Sequence, residues 1–155
     1  MTADIRTAEC SIVTVERRLT AVVKVQVPMA EIPRAERSAR AKLDAALSSL
    51  DVGPLGQAFT LWRPPVDGRL YMEPGVLVAR TFEPLGEVVP SALPAGRAAY
   101  FLRVGPYEGI PGAWNTVFAW CSEEKLELAG TNWQIYGDDD ENPARLTTTL
   151  YALLA

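Results

Sequence analysis

Val27-Pro28-Met29-Ala30-Glu31-Ile32-Pro33 and Gly105-Pro106-Tyr107-Glu108-Gly109-Ile110-Pro111 are the two stretches on which the fold turns, because Pro, Ile and Pro recur in both at an offset of 78 residues. In each, an extended run breaks at the first proline, which lacks the N–H that a continuing strand would need. The Ile-Pro pair then opens an amphipathic segment with proline in its first turn, where a missing N–H is harmless. Strand, turn and helix are written twice.

Outward from the first copy, residues 10–16 and 20–27 are extended, the second run being β-branched with polar interruptions. The helix is expected over residues 33–50, with Ala39, Leu43, Ala46, Leu47 and Leu50 on its apolar face and Gly53-Pro54 as its stop. Two strands follow at 57–63 and 70–80, joined by Pro64-Pro65-Val66-Asp67-Gly68. A Pro- and Gly-bearing linker at 83–96 leads to the second copy. There a strand at 97–104 precedes a helix over 110–126, with Ile110, Trp114, Val117, Phe118 and Cys121 on one face and Gly130 as its end. Strands at 132–136 and 146–153 complete it.

The helix faces and the pair Trp62 and Trp133 match at an offset of 71, seven residues short of the proline match. Seven residues are about two helical turns, so the first helix is expected to carry an N-terminal extension. These observations predict an α+β fold of duplicated β-α-β-β units, about 10–82 and 97–155, in one domain over residues 1–155. Each unit alone leaves an apolar face poorly covered. The expectation is therefore one antiparallel sheet with two helices on one face and a central ligand cleft.

The chain has 155 residues, 48% of them hydrophobic, and a net charge of −4. The densest basic run, Arg34 to Lys42, contains Glu36 and reads as a solvated helix face. Direct nucleic-acid binding, which needs clustered Lys and Arg, is not expected. Residues 1–6 lack the pattern of a secretory leader, and no apolar run reaches bilayer length, so a cytoplasmic location without membrane association is expected. The two cysteines, Cys10 and Cys121, do not make a disulfide framework, and Cys121 reads as a core residue. There is no histidine, which removes Ser-His and Cys-His nucleophilic systems and the ordinary zinc and haem ligand sets. Neither a metal nor a cofactor is expected. The acidic run Asp138 to Glu141 lacks the glycine and distal Glu of an EF-hand and reads as a hairpin tip.

Val104-Gly105-Pro106-Tyr107-Glu108-Gly109-Ile110 resembles the hydrophobic-Gly-Pro-Tyr-acid turn that opens the second helix of GyrI-like domains, the effector-binding domains of bacterial multidrug-responsive activators. Trp114 and Trp120 stand where that helix carries large aromatics. Asn132-Trp133-Gln134-Ile135-Tyr136 is similar to the family's third strand, and Asp138 to Glu141 with Pro143 and Thr147-Thr148-Thr149-Leu150-Tyr151 to its closing hairpin. Tyr71-Met72-Glu73-Pro74-Gly75-Val76 resembles a Glu-small-Gly-Val strand in the first half. The likeness covers residues 10–155.

The resemblance implies a cleft that binds amphipathic or aromatic small molecules, in a stand-alone sensing or sequestering module. It also implies two alternatives: hydrolysis of cyclopropane-type alkylating compounds, and a protein partner such as gyrase. The family's third strand usually carries a central Glu, which attracts cations or assists hydrolysis; here that position is Gln134. An amide cannot pair with a cation as a carboxylate does, although it donates and accepts hydrogen bonds. Glu73 is the catalytic candidate if the chain is an enzyme, or else a strand-end surface residue. The ligand-binding candidates are Arg63, Tyr71, Glu73, Tyr107, Trp120, Gln134, Tyr136 and Tyr151. Tyr136 and Tyr151 either share the cleft or pack within the sheet, and Trp120 reaches a cleft edge or a partner surface. If Gln134 lines the cleft, Trp133 faces the helices, and by the same alternation Trp62 turns inward and Arg63 faces the cleft.

Overall fold

The computed structural model describes residues 9–155; the expectation of no secretory leader falls on residues outside these. The fold is α+β, with nine strands in antiparallel pairings and two α-helices among the described residues. The described residues form two compact units, one of residues 16–95 and one of residues 96–155 with 9–15.

In the 16–95 unit, β2 (Arg18–Val23) and β3 (Val25–Pro28) run in one register along β5 (Arg69–Leu77), interrupted at Lys24. Helix α1 (Ile32–Leu47) follows, and β4 (Ala58–Trp62) pairs with the other edge of β5. β6 (Val88–Leu93) pairs with β2, giving the order β4-β5-β2-β6. Ala39, Leu43 and Ala46 of α1 pack on Ala21, Val23, Val76 and Val88. Gly75 is needed on the opposite face, where a Cβ would come within 2.6 Å of Val22 and 2.7 Å of the Phe59 ring.

The other unit begins with β1 (Ser11–Val15), paired with β7 (Gly96–Val104). Helix α2 (Ile110–Glu123) leads to β8 (Leu128–Tyr136) and β9 (Thr147–Leu154), in the order β1-β7-β9-β8. The two orders are equivalent. In each unit the strand before the helix lies between an end strand and the last strand of its β-α-β-β unit.

The duplication is sharpest at the two prolines. Pro28 (φ −58°, ψ 150°) and Pro106 (φ −59°, ψ 150°) each lead into a short 3-10 turn, and Ile32 and Ile110 then start the helices. The helices therefore begin at the 78-residue offset. They differ by two residues in length, 16 against 14, and not by the expected seven-residue extension. Seven residues leave a helix face nearly in phase, which is why both offsets matched the buried positions.

A strand has a period of two, so the odd offset fails there. Trp62 lies opposite Met72 on the face of β5 that carries Val76 toward α1. Trp133 lies on the side of β8 away from α2, so the two tryptophans are not equivalent.

Two further expectations change. The linker 83–96 contains β6, whose Pro90 is tolerated because this strand ends its unit's order. Helix α2 stops near Lys125, at φ 58°, and Gly130 (φ 91°) sits in β8 where its register with β9 shifts. No helix among the described residues is long and apolar enough to cross a membrane.

Candidate functional site

In the 96–155 unit the candidate residues meet on the α2 side of β8. Trp114, near the start of α2 and 6% exposed, donates its indole N–H to Gln134 Oε1 at 2.7 Å. The Gln134 amide in turn donates to the Tyr136 hydroxyl at 3.0 Å. Strand alternation places Gln134 and Tyr136 on one face, and this indole contact fixes that face as the one toward α2. Tyr107, in the 3-10 turn ahead of α2, meets Tyr136 edge to face at 5.6 Å, while Trp114 stacks with Phe118 at 5.4 Å. Tyr107 is 39% exposed. Burial is the first cause that raises its hydroxyl pKa, with Asp139 and Tyr136 adding to it. The Thr148 hydroxyl lies across from Tyr136, and both it and the Asn132 side-chain oxygen are buried with no hydrogen-bond partner among the described residues.

Tyr151 is elsewhere. It pairs with Trp133 across the strands, stacks on that indole at 5.3 Å and meets Tyr100 edge to face at 5.3 Å, on the side away from α2. Trp133 is 1% exposed, so this is sheet packing, not helix packing. Trp120 does not join Gln134 either; it is half-buried and lines a separate groove on the outer side of α2.

In the 16–95 unit, Glu73 is 6% exposed and sits within β5, not at a strand-end surface. Its carboxylate accepts from the Tyr71 hydroxyl at 2.5 Å and from the Ser91 hydroxyl at 3.2 Å. The Arg63 guanidinium lies 4.7 Å from the centre of the Tyr71 ring. Burial first, then the hydrogen bond and charge of Glu73, push the Tyr71 hydroxyl up to about 12, with Arg63 opposing. The group lies on the face of β5 away from α1, because Glu73 alternates with Met72 and Val76. Ser91 was hidden in the expected linker.

The basic run also conceals a structural residue. Arg40 turns inward from α1 and donates to the carbonyls of Gly75 (2.6 Å) and Phe59 (2.5 Å), to Thr60 Oγ1 (3.2 Å) and to Glu36 (3.1 Å). Its signal was phase: Arg40 stands beside buried Ala39 and one turn before buried Leu43.

An α+β domain of two β-α-β-β units, with an aromatic-framed polar cluster between a helix and its sheet, belongs to the class of small-molecule-binding domains. The model of the GyrI-like small molecule binding domain matches residues 8–154, and the chain belongs to this family. Similar solved structures include the EcmrR C-terminal domain, 14% identical with a TM-score of 0.78, covering 96% of this chain and 98% of that one. SAV2435 bound to tetraphenylphosphonium is 12% identical with a TM-score of 0.71, covering 95% and 94%. A hydrolase from Listeria innocua is 14% identical with a TM-score of 0.62, covering 96% and 92%. Among curated proteins, none matches the chain.

Proposed function

We propose that the domain binds a neutral or weakly polar aromatic small molecule at the face formed by Tyr107, Trp114, Phe118, Gln134 and Tyr136, as a sensing or sequestering module. The observation that carries this reading is the state of Gln134. Its carbonyl is engaged by an indole N–H and its amide by a tyrosine hydroxyl, within four aromatic side chains. An amide retains one further N–H and one lone pair for a ligand and brings no charge, so it favours a polar aromatic compound over a cation. Tetraphenylphosphonium, the ligand bound to SAV2435, is the natural contrast probe.

The test is a tryptophan-fluorescence and thermal-shift titration with neutral and cationic aromatics of matched size. Saturable quenching and a raised melting temperature with the neutral series, both weakened in Tyr136→Phe, support the reading. A well-folded protein that responds to no compound in either series overturns it.

A second reading, hydrolysis of a strained alkylating compound, is favoured by buried Glu73 held between two hydroxyls. Turnover of such a compound, abolished in Glu73→Gln, would move the function there. If neither binding nor turnover is found, a copurifying protein partner becomes the reading to pursue.

A further inference from the structure

A groove of about 430 Å³ runs along the outer side of α2, on the opposite flank of that helix from its buried residues. Thr116, Ala119, Trp120 and Glu123 form its helical wall, and Glu9 with Cys10, just ahead of β1, form the other. Extending the pairing of β1 with β7 by one residue places Cys10 across from Phe101, on the α2 side. The strand lead-in and the helix thus flank the groove, which is open to solvent. Its chemistry is one-sided: an indole face, two carboxylates and, among the described residues that line it, no cationic side chain. Neither Glu9 nor Glu123 forms an ion pair among the described residues.

We propose that this groove is a second binding site, separate from the Gln134 face, for a small organic ammonium ion seated on Trp120 between Glu9 and Glu123. An indole attracts a cation through its quadrupole, and a quaternary ammonium is less strongly hydrated than a metal ion, so it can leave water for an aromatic face. Two carboxylates that form no ion pair among the described residues add an attraction that a neutral ligand cannot use. The volume lies within the range of small-molecule pockets and suits a compact ligand. The carboxylates are exposed, so binding is modest and weakens as salt rises.

The probe is benzyltrimethylammonium, with benzyl alcohol as its neutral aromatic counterpart. Cys10 supplies a local readout, because it lines the groove and is half-buried, whereas Cys121 is buried. Burial and the neighbouring Cys121 raise the Cys10 thiol, so alkylation by iodoacetamide is followed at alkaline pH, with peptide mapping to separate the two cysteines. The ammonium compound should slow Cys10 alkylation saturably and shift the Trp120 indole resonance, and benzyl alcohol should do neither. Glu123→Gln, a change at an exposed position, should weaken this protection by about fivefold, and Trp120→Leu should remove it. Tyr136→Phe should leave it intact, which separates this site from the function proposed above. Unchanged Cys10 alkylation at saturating salt-free concentrations of the probe, equal protection by benzyl alcohol, or indifference to Glu123→Gln would each overturn the proposal.

Discussion

Gln134→Glu tests the charge logic of the Gln134 face directly. Both partners of Gln134 can serve a carboxylate: the Trp114 indole already donates, and the Tyr136 hydroxyl can rotate from acceptor to donor. The substitution therefore introduces a charge with two hydrogen bonds waiting for it, at a half-buried position that does not force full desolvation. A cation held about 4 Å from that carboxylate gains about 4 kcal/mol at an effective dielectric of 20. Desolvation and ordering offset roughly half of this, leaving about 1.5–3 kcal/mol, or about tenfold to hundredfold in affinity. The assay is calorimetric titration of tetraphenylphosphonium into both proteins, with triphenylphosphine oxide as the neutral comparison. We expect the cation to gain that factor in the variant and the neutral compound to gain nothing. The gain should disappear on acidification as the carboxylate protonates. A folded variant that binds the cation no better than the wild type, or a wild type that already prefers it, would refute the reasoning.

Tyr71→Phe removes one donor from buried Glu73 and should lower stability by about 1–3 kcal/mol, read in urea unfolding. The same variant has a pH signature. With the Tyr71 hydroxyl at about 12 in the folded state and about 10 when unfolded, the unfolded chain loses its proton first, so the wild type loses stability as pH rises from about 10 to 12. Tyr71→Phe should flatten that slope, and an unchanged slope would show that other groups cause it. Arg40→Met leaves the Phe59 and Gly75 carbonyls without their guanidinium donor; a loss of about 2–4 kcal/mol is expected, about 4–16 °C in Tm, and a shift under 2 °C would make Arg40 a surface residue after all. Gly75→Ala should destabilise by about 1–3 kcal/mol through overpacking against Val22 and Phe59, and a neutral result in thermal unfolding would mean that β5 can yield there.

The fold was legible where backbone chemistry leaves a trace in single residues. Pro28 and Pro106 mark strand ends, and the prolines after Ile32 and Ile110 mark helix starts, because proline lacks the N–H a strand needs and its fixed φ suits a helix's first turn. The helix cores were legible as well, since Leu43, Ala46, Val117 and Cys121 repeat at helical spacing. β6 was not, because Pro90 reads as a breaker until its place at the end of a strand order is known. Gln134 and Tyr136 could be paired from alternation alone. The separation of Tyr151 from them could not, because it depends on the register between β8 and β9, which puts Trp133 and not Gln134 opposite Tyr151. Arg40 was obscured by composition: four other charged residues, Arg34, Glu36, Arg37 and Lys42, give its stretch the look of a solvated face.

The two polar groups of this domain differ in what they leave available. Glu73 is 6% exposed, and each of its oxygens already accepts from a hydroxyl, so a ligand could use only the remaining lone pairs of a buried group. Gln134 is half-buried and engaged on both of its ends, yet one N–H and one lone pair remain. On the proposed reading, ligands are screened by hydrogen bonding and ring stacking at Gln134, while the Glu73 carboxylate links Tyr71 of β5 to Ser91 of β6. The consequence is testable by combination. If Glu73 is structural, Glu73→Gln should weaken folding without altering the ratio of neutral to cationic affinity, whereas Gln134→Glu should alter that ratio without weakening folding. The double variant should then show both effects additively, since residues without shared partners behave independently. Coupling between them above about 0.5 kcal/mol would mean that the two groups act on one ligand.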